Sequence, residues 1–184
     1  MKRIFLTLTV LATVLMLVAV VLGLSIGNSS SLNPEVQSQI STHMLIGMGV
    51  LTFAILVHAI SLTYFMGTGR WIEETSHAYS LSPSFHALNQ KIKYRTLPGM
   101  TFCILLLIAT GALGAAADPA TPISLDGIPG VTGADIHFFT AMSTVIINLL
   151  TNFTQFVAIS KNTDIVNDVL AEVKRIREER GLPV

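Results

Sequence analysis

The sequence predicts an all-α integral membrane protein: a four-transmembrane-helix bundle with both termini cytoplasmic and amphipathic helical extensions on that side. Three observations predict it. The 184-residue chain is 51% hydrophobic and only 12% charged, about half the charge of a soluble domain, and its mean hydropathy is +0.65. Four stretches, 4–24, 44–66, 100–117 and 138–159, contain no Lys, Arg, Asp or Glu, and each is close to the roughly 20 apolar residues of a span. Every Lys and Arg falls in the N-terminal tail, the 67–97 loop or the segment after 160, whereas the two opposite loops hold only the acids Glu35, Asp118, Asp126 and Asp135. An excess of Lys and Arg marks cytoplasmic segments. The expected location is therefore a bacterial inner membrane, with the lipid bilayer as the main partner and no nucleic acid.

The first span follows Met1-Lys2-Arg3, as a signal peptide would. Its apolar stretch is longer than a usual signal core and no A-x-A site follows, so a retained helix is expected. Asn28-Ser29-Ser30 matches a glycosylation acceptor but is too short a pattern to carry weight. Asn33-Pro34-Glu35 reads as N-cap, first-turn proline and first-turn acid, and predicts that the second helix starts there. That helix can run past Gly67 and Gly69 into Arg70 and Trp71, which suit the membrane interface. The Gly67-Thr68-Gly69-Arg70 run lacks the remaining residues of a phosphate loop.

Ser82-Pro83 opens a third helix with Phe85, Leu88 and Ile92 at helical spacing, leading through Pro98 into the third span. A loop rich in proline and glycine follows Asp118, and Asp135 is placed to cap the fourth helix. Beyond 160, Ile165, Val169, Val173 and Ile176 form an apolar stripe widened by Val166 and Leu170. Two accounts of that stripe stay open: packing on the chain's own 67–97 loop, or docking to a membrane surface or partner subunit. The organisation expected is a transmembrane domain over 1–160 and a cytoplasmic amphipathic tail over 161–184. The single Cys103 excludes an internal disulfide.

Histidines supply the chemistry. Ionisable side chains within spans are costly and face the bundle interior. His43 and His58 are fifteen residues apart on the second span, about 22 Å along a helix and roughly 60° apart around it. Gly47 shares their stripe and would admit a close helix or a flat cofactor. The second and fourth spans run in the same direction, so His137 should lie at the depth of His43. Its stripe continues through Ala141, Thr144, Asn148, Thr151 and Gln155, a polar line that cannot face lipid. His43 and His137 are therefore candidate metal ligands, and His43, His137, Gly47 and His58 candidate cofactor-binding residues, for a b-type haem and possible quinone chemistry. His58 lies at the level of Asn152 and Cys103. A neutral core histidine satisfied by Asn152, Ser61 or a threonine competes there with a quinone-contacting or proton-relay role.

In helix count, orientation and histidine depth the arrangement resembles the small four-helix cytochrome b anchors of membrane redox complexes. The resemblance implies an electron-transfer or membrane-anchor subunit, not catalytic by itself, with other membrane or cytoplasmic subunits as partners. Two rivals remain: a cofactor-free accessory subunit docking through the cytoplasmic helices, and a small transporter or channel lined by the polar face of the fourth helix. His77 and His86 lie in the 67–97 loop at no recognised ligand spacing. No Ser-His-Asp set, paired in-span carboxylate or H-E-x-x-H motif is present.

Overall fold

A computed structural model describes residues 1–27, 33–123, 125 and 129–183. The Asn28-Ser29-Ser30 tripeptide and Asp126 lie outside the described residues. Within them the chain is four helices, α1 (Lys2–Leu24), α2 (Pro34–Tyr79), α3 (Ser84–Ala116) and α4 (Gly133–Glu179), and no strand. All four are long and apolar enough to cross a membrane. At 1.5 Å per residue α2 and α4 are each about 70 Å long, more than twice the thickness of a hydrocarbon core. They therefore extend beyond the apolar bundle at the end that carries the chain termini.

The helix boundaries follow from local chemistry. Asn33 caps α2 by accepting from the Glu35 N–H at 2.9 Å, with Pro34 in the first turn. Ser80 ends α2 in the left-handed conformation, φ 53°, and the Leu81 N–H returns to the Ser76 carbonyl at 2.8 Å. The Ser84 N–H reaches Ser82 Oγ, so Ser82 covers the start of α3 although Pro83 holds the cap position. Pro98 is accommodated inside α3 without ending it. The cap of α4 is Thr132, not Asp135. The two residues form a reciprocal capping box in which Asp135 receives the Thr132 N–H and hydroxyl.

Consecutive helices are neighbours, α4 closes the ring against α1, and α2 touches α4 across the diagonal, whereas α1 and α3 occupy opposite corners without contact among the described residues. Two apolar clusters fill the bundle, one around Phe5, Phe65 and Ile159, the other around Met16, Ala54 and Leu107. Large apolar side chains also point outward, Phe153 being 68% exposed. So broad an exposed apolar band suits lipid and would be an aggregation hazard in water.

Where the apolar segments give out, Asn89 donates to Asn162 at 2.6 Å and Asn162 donates to Thr68 at 2.8 Å, tying α3, α4 and α2 together. Beyond that tie Ile165 and Val169 are buried against Ile72, with Phe85 and Val173 alongside. The apolar stripe of the 161–184 tail thus packs on the chain's own 67–97 segment, though Leu170 stays exposed. α4 passes residue 160 without a break, so the tail is a continuation of the bundle.

Candidate functional site

His43 and His137 are brought together. Each stands near the start of its helix, at the end of the bundle away from the termini, on the diagonal pair α2 and α4. Their ring centroids are 6.1 Å apart and their planes nearly perpendicular, at 73°. Two imidazoles bound on opposite sides of one metal ion, at about 2.0 Å per bond, would set their centroids roughly 6 Å apart. The separation would suit a shared ion, and with the 73° angle it is also that of an edge-to-face contact between two rings.

Both rings are seated in the same way. His43 lies on Gly23 of α1, where a Cβ would come within 2.9 Å of Cε1; His137 lies on Gly114 of α3, where a Cβ would also come within 2.9 Å of Cε1. His43 Nδ1 meets the Ala19 carbonyl at 3.1 Å, one turn before Gly23. His137 is turned toward the backbone of Thr110, one turn before Gly114, but no well-formed hydrogen bond reaches its buried Nδ1. Each helical hairpin thus repeats one device: a small residue, a glycine one turn later, and a histidine from the next helix laid across both. Metal-bound histidines usually donate the second ring N–H to such a carbonyl, which fixes the tautomer and leaves Nε2 bare.

The histidines border a cavity of about 470 Å³ lined by all four helices, a size within the range of small-molecule and cofactor sites. Its walls are apolar and built largely from small residues, including Ala19, Gly47, Gly111 and Ala141. A Cβ at Gly47 would meet nothing within 4 Å, so that glycine leaves open space beside His43. Among the described residues, the charged ones in the lining are Asp118 and Asp135 at the mouth. Asp135 is committed to Thr132, whose hydroxyl and N–H hold its carboxyl below the usual range. A flat apolar cofactor with two nitrogen ligands fits these residues. With no Lys or Arg in the lining, any carboxylates it carried would have to face water.

His58 is elsewhere. It is fully buried and does not line the cavity. Its Nδ1 lies 2.7 Å from the Gln155 side-chain amide and its Nε2 3.4 Å from that of Asn148. A neutral imidazole has one N–H and one bare nitrogen, so the two amides must present opposite ends to it. Asn152 joins through Asn148 at 2.6 Å rather than by touching the ring, and Ser61 Oγ has no partner. The contacts expected from Asn152 or Ser61 are made instead by Asn148 and Gln155, which straddle that level on the polar stripe of α4. Cys103 belongs to the same layer, its thiol against Thr151 and Asn148.

Outside the bundle, His86 is 3.9 Å from Glu73 and 2.7 Å from Gln90, while Glu74 pairs with Arg70. No group of three or more metal-ligating side chains forms among the described residues. Ala19, Gly23, Thr110 and Gly114 are the residues that sequence reasoning passed over. Their signal is a small residue followed four positions later by glycine near the same end of α1 and of α3. Comparison of the chain with protein-family models, curated proteins and solved structures returns no match.

Proposed function

We propose that the protein is a membrane-anchor or electron-transfer subunit that binds one b-type haem between His43 and His137. The observation that carries this reading is the matched pair of glycine-seated histidines, 6.1 Å apart, on an apolar cavity. Bound haem would supply one-electron transfer, tuned by the two histidine nitrogens that would hold it and by the dryness of its pocket. The chain's part is to hold and insulate. His43 and His137 would supply the two nitrogens, the Ala19 carbonyl orients His43, and Gly23 and Gly114 let both rings sit against backbone. Met16, Val50 and Val145 keep water from the inner end of the cavity.

The distribution of Lys and Arg supports placing the termini and the extensions of α2 and α4 in the cytoplasm, and a bacterial inner membrane suits that topology. The haem pocket then opens toward the outer face, and the cytoplasmic extensions are left for a partner subunit; a quinone is the natural lipid-soluble electron carrier for such a pair. The polar face of α4 is occupied by His58, Thr110, Asn89 and Thr68, and fully buried Phe65 and Ile159 interrupt it. That weighs against a transporter or channel.

The test is a reduced-minus-oxidised visible spectrum of the detergent-purified full-length protein. A sharp low-spin b-type band at about one haem per chain is expected. A colourless protein that takes up no added haemin would overturn the reading and leave a cofactor-free accessory subunit as the better account.

A further inference from the structure

We propose that His137 is the releasable ligand of the pair, and that a small uncharged molecule can take its place. This rests on the haem reading above and concerns how unequally the chain holds its two histidines. The seats are alike but the hydrogen bonds are not. His43 Nδ1 donates to the Ala19 carbonyl at 3.1 Å, which fixes the tautomer, locks the ring's rotation and makes Nε2 the stronger donor. His137 lies on Gly114 just as closely, yet its buried Nδ1 has no well-formed partner. Packing and a loose approach to the Thr110 backbone hold that ring.

Position adds to the difference. His43 stands ten residues beyond the Asn33 cap, inside a helix already established, whereas His137 stands five residues beyond the Thr132 cap. Helix ends open at lower cost than helix interiors, so the backbone carrying His137 yields first. The vicinity also selects the replacement. Beside His137 the cavity is walled by Phe138, Ala141 and Met142, with Thr110 and Thr144 as its inner hydroxyls. Those two hydroxyls are already bonded to each other at 2.6 Å. No Lys or Arg there would pair an anion, and a small neutral molecule suits the space.

The experiment uses full-length protein as wild type, His43→Ala and His137→Ala, each titrated with haemin, reduced and exposed to carbon monoxide. His137→Ala should retain haem near the wild-type stoichiometry and give a full carbon monoxide difference spectrum. His43→Ala should bind haem about 10-fold more weakly or worse. Because an alanine variant can fail by misfolding, His137→Gly and His43→Gly are also purified with free imidazole present. Imidazole should restore the low-spin spectrum to the first and not to the second. Equal loss of haem in both alanine variants, or the reverse order, would overturn the proposal. A wild-type protein that binds no haem at all would instead remove the reading on which the proposal rests.

Discussion

Asn89 and Asn162 are joined by a 2.6 Å hydrogen bond between α3 and α4, and Gly69 of α2 lies directly against the same amide. A Cβ on residue 69 would stand 2.6 Å from Asn89 Oδ1, and the amide cannot turn away without releasing Asn162. Gly69→Ala should therefore destabilise the protein by about 1–3 kcal/mol. Gly67→Ala, where a Cβ meets nothing within 4 Å, should be neutral or stabilising by roughly 0.5–1 kcal/mol, as expected of alanine in a helix. Thermal unfolding in one detergent compares the two, and equal Tm values would contradict the contact.

The glycine seats make a prediction of the opposite kind, about affinity rather than stability. Gly23→Ala pushes a methyl group into the His43 ring, and Gly114→Ala does the same to His137. Gly23→Ala should weaken haem binding about 10–100-fold, the cost usual for disturbing a ligand's support, whereas Gly114→Ala, acting on the releasable ligand, should alter the low-spin spectrum with much less loss of haem. Gly49→Ala, where a Cβ meets nothing within 4 Å and which does not line the cavity, should bind nearly as wild type. Haemin titrations decide it, and a Gly49→Ala defect as large as the Gly23→Ala defect would argue against the seats.

Much of this site is legible in the sequence because membrane helices keep depth. Counting residues from the ends of two parallel spans places His43 and His137 at one level, and the stripe through Thr144, Asn148 and Gln155 marks the face of α4 that turns inward. Depth alone does not tell which residue on a level meets a given ring. Asn152 is at the height of His58, yet Asn148 and Gln155 lie on the facing stripe one turn to either side and make the contacts. Gly23 and Gly114 were illegible for another reason. In their own helices they are ordinary glycines near an end, and they gain meaning only when a histidine from the next helix comes to rest on them.

The His58 layer should behave as a unit. His58→Leu leaves Gln155 and Asn148 without their shared partner, and Gln155→Leu leaves a ring nitrogen unpaired. Each should cost about 1–3 kcal/mol. The double variant should cost less than the sum, by roughly 0.5–3 kcal/mol for directly coupled groups. Strict additivity in unfolding measurements would mean that the two side chains do not interact.

Acid sensitivity follows from the α4 cap. Thr132 holds the Asp135 carboxyl below its usual range through hydrogen bonds to the charged form. A folded-state pKa below the unfolded one contributes stability above the unfolded value, which fades as pH falls through the folded value. Asp135→Asn should therefore lower Tm at neutral pH, and the gap from wild type should close on acidification below about pH 4. A gap unchanged between neutral and acid pH would rule out the charged carboxylate as its source.

The placement of the two histidines on α2 and α4 also imposes an order of biogenesis. When the first hairpin has entered the membrane, His43 already rests on Gly23 and meets Ala19, but nothing stands opposite it. The third helix brings Gly114 as an empty seat. Only insertion of the last helix delivers His137 and closes the cavity. On the haem reading proposed above, a cofactor gripped from both sides could be loaded only once α4 is in place, and a chain halted before α4 would hold only half of the pocket.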